Sequence, residues 1–136
     1  MGEYEVIVAD THIIIWDALV PQKLSKNAKT AISRANNDDG ILFCEISLWE
    51  IAMLINRGRI RIDVSYKDFI HLILKSKQYI LQGITPEIAE LTTQIFQNTE
   101  QDPADRLIAA TAIVKRAELV TADKTMRHSK EVRTIW

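Results

Sequence analysis

With one cysteine, Cys44, in 136 residues, the chain has no internal disulfide framework, and that thiol reads as a small buried hydrophobe. No internal repeat, low-complexity tract or second-domain linker interrupts it. No apolar stretch approaches the roughly 18 residues that suggest a membrane span. Met1-Gly2-Glu3-Tyr4-Glu5 has neither the basic region nor the apolar stretch of a secretory signal. Gly2 invites a myristoylation reading, but Val6 stands where that signal wants Ser or Thr. Charge of one sign is also missing: 17 basic against 18 acidic residues leave a net charge of −1. That balance argues against the tight, unassisted nucleic-acid binding of strongly basic domains. It does not exclude a nucleic-acid substrate, because the basic residues cluster: Arg57, Arg59 and Arg61; Lys115 and Arg116; Lys124, Arg127, His128 and Lys130. The 47% hydrophobic and 26% charged residues suit one cytoplasmic globular domain over residues 1–136.

The apolar runs alternate with helical patterns. Val6 to Ala9 is a first strand, uninterrupted as in a sheet buried on both faces. Ile13 to Leu19 is a short helix before Pro21, and Ser25 caps another to about Ala35, closed by Asn36-Asn37-Asp38-Asp39-Gly40. Ile41 to Cys44 is the second strand. Ser47-Leu48-Trp49-Glu50 has capping-box spacing and opens a helix ending near Gly58. Ile60 to Val64 is either an extended connection or a short edge strand. Ser65 caps a helix from Tyr66 to about Lys77, and Tyr79 to Leu81 is the third strand. Thr85-Pro86-Glu87 starts a helix to about Gln97, and Asp102-Pro103-Ala104-Asp105 starts another to Lys115. Leu119 to Thr121 is the fourth strand and Val132 to Ile135 a weak fifth. This alternation predicts parallel crossovers and a three-layer α/β sandwich.

Four acids stand where such a fold places its ligands. Asp10 ends the first strand and Asp123 follows the fourth, while Glu50 and Asp105 fall in the first turns of predicted helices. Open parallel sheets bind ligands beyond the carboxyl ends of their strands, where the strand order reverses. Acids gathered there repel one another unless a divalent cation neutralises them. The pattern therefore points to an Mg2+- or Mn2+-dependent enzyme acting on phosphate esters. Each acid also has a plainer reading. Asp10 caps a helix, Glu50 completes the Ser47 capping box, Asp105 follows the Asp102 cap, and Asp123 opens a turn. The joint pattern, not any single acid, favours the metal. Asp102 reads first as a cap, with direct metal contact the alternative. Glu45 rivals Glu50, and Asp17, Asp38 and Asp39 read as solvated acids.

Four strings in order carry a family resemblance: Val8-Ala9-Asp10-Thr11-His12, Ile46-Ser47-Leu48-Trp49-Glu50-Ile51, Asp102-Pro103-Ala104-Asp105-Arg106-Leu107-Ile108-Ala109-Ala110 and Leu119-Val120-Thr121-Ala122-Asp123. The chain resembles the PIN-domain nucleases, and among them the VapC-type toxins of bacterial toxin–antitoxin pairs, from about Val6 to Trp136. The resemblance implies a mostly parallel sheet of order 3-2-1-4-5. It implies a magnesium-dependent endoribonuclease that hydrolyses RNA through a metal-activated water, leaving a 5′-phosphate and a 3′-hydroxyl. It implies a small cognate antitoxin that blocks the site, and a homodimer. By position, the catalytic and metal-binding quartet is Asp10, Glu50, Asp105 and Asp123, with Thr121 at the family's hydroxyl position. Asp10 and Asp105 are the expected direct ligands. Glu50 and Asp123 would hold bound waters or a second ion, with Thr121, Thr11 and Asp102 in support.

Arg57, Arg59 and Arg61 could follow an RNA backbone, or suit a helix C-terminus and solvent. Arg106, about 100° around the helix from Asp105, faces away from it and forms a structural ion pair or touches RNA. Trp16, Trp49 and Trp136 read as core or subunit-contact residues rather than base-stacking platforms. His71 and His128 read as surface residues. The rival reading is a non-catalytic partner- or RNA-binding module on the same fold. An aspartate-nucleophile phosphatase would want an acid two residues after Asp10, where His12 stands.

Overall fold

The computed structural model describes residues 6–97 and 99–136; Gly2, with the myristoylation reading, lies outside them. Five parallel strands form one sheet in the order β3-β2-β1-β4-β5. In chain order the elements are β1 (Ile7–Ala9), α1 (Thr11–Leu19), α2 (Lys26–Asn36), β2 (Ile41–Cys44), α3 (Glu45–Asn56) and α4 (Tyr66–Ser76). There follow β3 (Tyr79–Gln82), α5 (Pro86–Leu91), α6 (Pro103–Val114), β4 (Glu118–Val120), α7 (Lys124–His128) and β5 (Thr134–Ile135). This is the three-layer α/β sandwich expected.

Strand alternation divides the core. Ile7, Ala9, Ile41 and Phe43 point to one face, where Ile13 and Ile14 of α1, Ile32 of α2, Ile51 of α3 and Phe69 of α4 cover them. Val8, Leu42 and Cys44 point to the other, under Ile88 of α5, Ile108 and Ala109 of α6, and Met126 of α7. Residues 7–9 and 41–44 are all buried, which is why those strands read as unbroken apolar runs. Cys44 is among them, and burial pushes its thiol up to about 12, so it packs and does not react. Gly40 closes the turn into β2 at φ +91; a Cβ there would meet Ile80 Cδ1 at 2.8 Å and the Gln78 carbonyl at 2.9 Å. Only glycine fits that position without strain.

Several expectations are corrected. Of the two readings of Ile60 to Val64, the connection holds and the edge strand does not. Asp17 is not a solvated acid: it pairs with Lys77 at 3.0 Å and accepts from the Tyr79 hydroxyl at 2.9 Å. The helix opening at Ser47 begins instead at Glu45, with Cys44 as a cap residue that makes no side-chain hydrogen bond. The capping box is absent because the Ser47 hydroxyl is spent elsewhere, on Thr11. Asp123 opens not a bare turn but the five-residue helix α7.

The helix from Pro86 stops at Leu91, six residues short of the expected end. The stop coincides with long-range contacts from Arg106 of α6. Its guanidinium donates to the carbonyls of Thr92, Ile95, Phe96, Thr99 and Gln101. Phe96 turns the chain at φ 53, and its N–H donates to the Glu131 carboxylate at 3.1 Å. Among the described residues Arg106 forms no ion pair, and its guanidinium is spent on these backbone carbonyls, latching the loop that carries them. Arg106→Ala should unlatch that loop and cost about 1–3 kcal/mol, because hydrogen bonds from a charged donor are the stronger kind, here to part-buried carbonyls. Arg106→Lys should restore little of the lost melting temperature, since an ammonium cannot reproduce the fork. Full rescue by lysine would show that charge alone holds the loop.

Candidate active site

The strand order reverses at β1, which has β2 on one side and β4 on the other. Beyond the carboxyl ends of these strands lies a cavity of about 440 Å³. Asp10, Glu50, Asp102, Asp105 and Asp123 line it, with Thr11, His12, Trp16 and Ala122. All four acids of the expected quartet therefore share one cavity, joined by the cap residue Asp102.

Local structure places each one. Asp10 follows β1 and caps α1, accepting from the Thr11 N–H at 2.8 Å through Oδ1. Its Oδ2 accepts from the Thr121 hydroxyl at 2.7 Å. Thr121 is itself fully buried and also accepts from the Asp123 N–H at 3.0 Å. One threonine thus links the acids that follow β1 and β4. Asp123 caps α7 through the Met126 N–H, and Asp102 caps α6 through the Ala104 N–H. The capping readings of Asp10, Asp102 and Asp123 hold alongside their place in the cavity. A carboxylate that accepts one backbone bond keeps further lone pairs.

Glu50 sits in the second turn of α3, not the first, because that helix starts early. Its carboxylate accepts a short hydrogen bond from the Thr11 hydroxyl, which also meets the buried Ser47 hydroxyl at 2.7 Å. Sequence order alone could not show this, since Thr11 and Glu50 are 39 residues apart. Asp105 lies in the first turn of α6 and accepts from Gln101 Nε2 at 3.1 Å.

Burial and mutual repulsion perturb these acids. Burial pushes Asp10 upward, and Asp123 adds to it; the bonds from Thr121 and Thr11 and the nearby His12 oppose it. Burial also raises Glu50, against the Thr11 bond and with the charges of Asp10 and Asp102. Asp105 rises to about 7, first through burial and then through Asp10, Glu50, Asp123 and Asp102. Among the described residues, no three acid, histidine or cysteine side chains are drawn together as a ready-made metal cage. The donor set is nevertheless all oxygen on one cavity and repels itself when charged. Those are the donors hard divalent cations take, and Mg2+ keeps several waters with only one or two protein carboxylates.

Sequence reasoning missed three residues here. His12 and Trp16 line the cavity one helical turn apart, their rings 5.9 Å from each other. Their spacing of four residues on the helix that Asp10 caps was the available signal. Gln101 bonds Asp105 four residues on, across the start of α6, and that spacing was the signal for it. The tryptophans part company: Trp16 packs on Trp136 at 6.0 Å, whereas Trp49 is 57% exposed and so is not core. His71 and His128 are exposed, as expected. Arg57, Arg59 and Arg61 are exposed past the end of α3 and do not line the acidic cavity.

Glu50→Gln separates the two roles open to Glu50. The amide oxygen can still accept from Thr11, so stability should change by less than about 1 kcal/mol. If the charge serves catalysis, the rate of RNA cleavage should fall about a hundredfold or more. Wild-type cleavage by this variant would leave Glu50 only as a partner for Thr11.

A parallel sheet of this order with an acidic cavity at its reversal point defines a PIN fold, and the chain belongs to the PIN domain family, whose model matches residues 7–131. The chain is 33% identical over 132 residues to Ribonuclease VapC22 of Mycobacterium tuberculosis strain H37Rv, covering 96% of this chain and 98% of that one. In fold it is similar to a chain of VapBC2 from Rickettsia felis bound to a DNA fragment from their promoter (TM-score 0.69, 16% identity, covering 95% of this chain and 96% of that one). FitAcB from Neisseria gonorrhoeae is likewise similar (TM-score 0.66, 19% identity, covering 94% of this chain and 95% of that one).

Proposed function

We propose that this chain is a divalent-metal-dependent endoribonuclease and the toxin of a toxin–antitoxin pair. The observation that carries the reading is the set of four acids, Asp10, Glu50, Asp105 and Asp123, on one cavity at the reversal point of the sheet. The near full-length similarity to a ribonuclease of the VapC kind supports the substrate class. Solved complexes of the VapBC kind support a protein partner. In this reading residues 1–136 form one catalytic unit that works in the cytoplasm, as a homodimer, on RNA.

Asp10 and Asp105 would hold the ion, and Glu50 and Asp123 would hold its waters. A bound Mg2+ or Mn2+ supplies Lewis-acid polarisation of the scissile phosphate and lowers the pKa of water beside it. Thr121 fixes Asp10 by taking up one carboxylate oxygen, and Gln101 does the same for Asp105. Glu50, held by Thr11, would be the base to take a proton from an attacking water. Cleavage leaves a 5′-phosphate and a 3′-hydroxyl. A partner that places a basic side chain among the carboxylates would displace the metal by a charge-assisted pair.

Expression in bacteria tests the reading. The wild-type chain alone should arrest growth, Asp10→Asn should not, and co-expression of a small protein encoded beside it should restore growth. Purified protein should cut RNA internally. Arrest by Asp10→Asn equal to wild type would favour the rival reading, a non-catalytic binding module.

A further inference from the structure

A second depression, of about 710 Å³, lies outside the acidic cavity. Gln94, Gln97 and Thr99 line one wall, and Thr125, His128 and Lys130 line the other. The chain ties both walls to the acids. Asp123 lines the acidic cavity and caps α7, whose Thr125 and His128 face the depression. Five residues at 1.5 Å each put His128 about 7.5 Å along the helix from Asp123. The opposite wall belongs to the loop that Arg106 latches and that ends in Gln101, bonded to Asp105.

The chemistry of this groove suits a phosphate backbone. Met126 is fully buried and anchors α7. At about 100° per residue, Lys124 and His128 lie within about 40° of each other on the side away from Met126. Lys130 and His128 line the groove, and Lys124 and Arg127 are exposed on α7 beside it. The acid in the groove, Glu131, accepts from the Phe96 N–H at 3.1 Å and keeps its charge, which Lys130 beside it offsets. Glutamine amides and threonine hydroxyls can bond phosphate and ribose oxygens without reading sequence. The Arg57, Arg59 and Arg61 segment is placed otherwise. Arg61 lines a different hollow with Asp17, Leu19 and Leu72, at the end of α1 remote from Asp10.

We propose that the groove between Gln94, Gln97 and Thr99 on one side and α7 on the other binds the RNA strand next to the scissile phosphate, independently of its base sequence. The proposal rests on the nuclease reading above. Its test is binding of single-stranded RNA of about 12 nucleotides, measured at several salt concentrations in an Asp10→Asn background to prevent cleavage. Lys130→Ala should weaken binding about threefold and lower the slope of log affinity against log salt by about 0.7, the share of one lysine on a single strand. The Lys130 side chain is exposed, so the melting temperature should confirm an intact fold. Unchanged affinity and slope would overturn the groove, and more so if Arg57→Ala/Arg59→Ala/Arg61→Ala lost binding instead. So would unchanged RNA binding with loss of a partner protein, which would make the groove a peptide site. A wild-type chain that neither binds nor cuts RNA in the presence of metal would instead sink the nuclease reading itself.

Discussion

Asp105→Asn should abolish RNA cleavage, by about a thousandfold or more, and yet raise the melting temperature of the metal-free protein at pH 8. The loss of cleavage follows if this carboxylate holds the ion, whose charge stabilisation of the transition state is worth several kcal/mol. The gain in stability follows from the perturbed acid. Burial and four neighbouring acids lift Asp105 to about 7 in the folded protein, well above its ordinary value of 3.8. A raised carboxyl binds its proton more tightly when folded than when unfolded. At pH values below its unfolded value both states are protonated and no penalty exists. Between about 4 and 7 the unfolded chain ionises while the folded one does not, so stability falls as pH rises, and above about 7 the full penalty remains. Asparagine removes that penalty. Because Asp105 is partly open to water, the gain should be discounted to about 1–2 kcal/mol. At pH 4 the variant and wild type should melt alike. Denaturation at the two pH values, with cleavage assayed in parallel, checks both halves. A variant that loses activity and stability together at pH 8 would show Asp105 to be structural.

Magnesium should stabilise the wild-type protein far more at pH 8 than at pH 5.5, and chelator should abolish cleavage. Cations bind the ionised carboxylates, so an acid that holds its proton must release it before the ion enters. With Asp105 at about 7, each unit of pH below that value should weaken metal binding about tenfold for one proton released. A ligand that binds only the folded state raises the melting temperature by mass action. At a concentration 100 times its dissociation constant the gain is about 2.7 kcal/mol. Melting curves with and without Mg2+ or Mn2+ across this range read the effect without any substrate. The Asp10→Asn protein should show little of it. Full cleavage in chelator, or a metal-induced shift that is the same at both pH values, would overturn the metal mechanism.

Local chemistry in the chain determined much of this protein. The apolar runs of β1 and β2 are buried on both faces, so the hydrophobic pattern alone reported a parallel sheet flanked by helices. Ser25, Ser65, Thr85 and Asp102 cap their helices through neighbours two or three residues on, an interaction short enough to be legible in sequence. Asp10 and Asp123 follow the carboxyl ends of β1 and β4, and topology does the rest. What the tertiary structure decided is where long-range partners competed with local ones. Ser47 has capping-box spacing, but its hydroxyl meets Thr11 across the site, so α3 starts at Glu45 and Glu50 moves to the second turn. The 86–97 segment reads as one helix, but Arg106 takes the Thr92 carbonyl and Glu131 the Phe96 N–H, which would have bonded each other had it continued. The rise of Asp105 likewise comes from burial and from acids far apart in sequence. Hydrogen bonds between neighbours are written in spacing; a hydroxyl, guanidinium or carboxylate that reaches across the fold chooses its partner only once packing has brought that partner within range and removed the water that would have served instead.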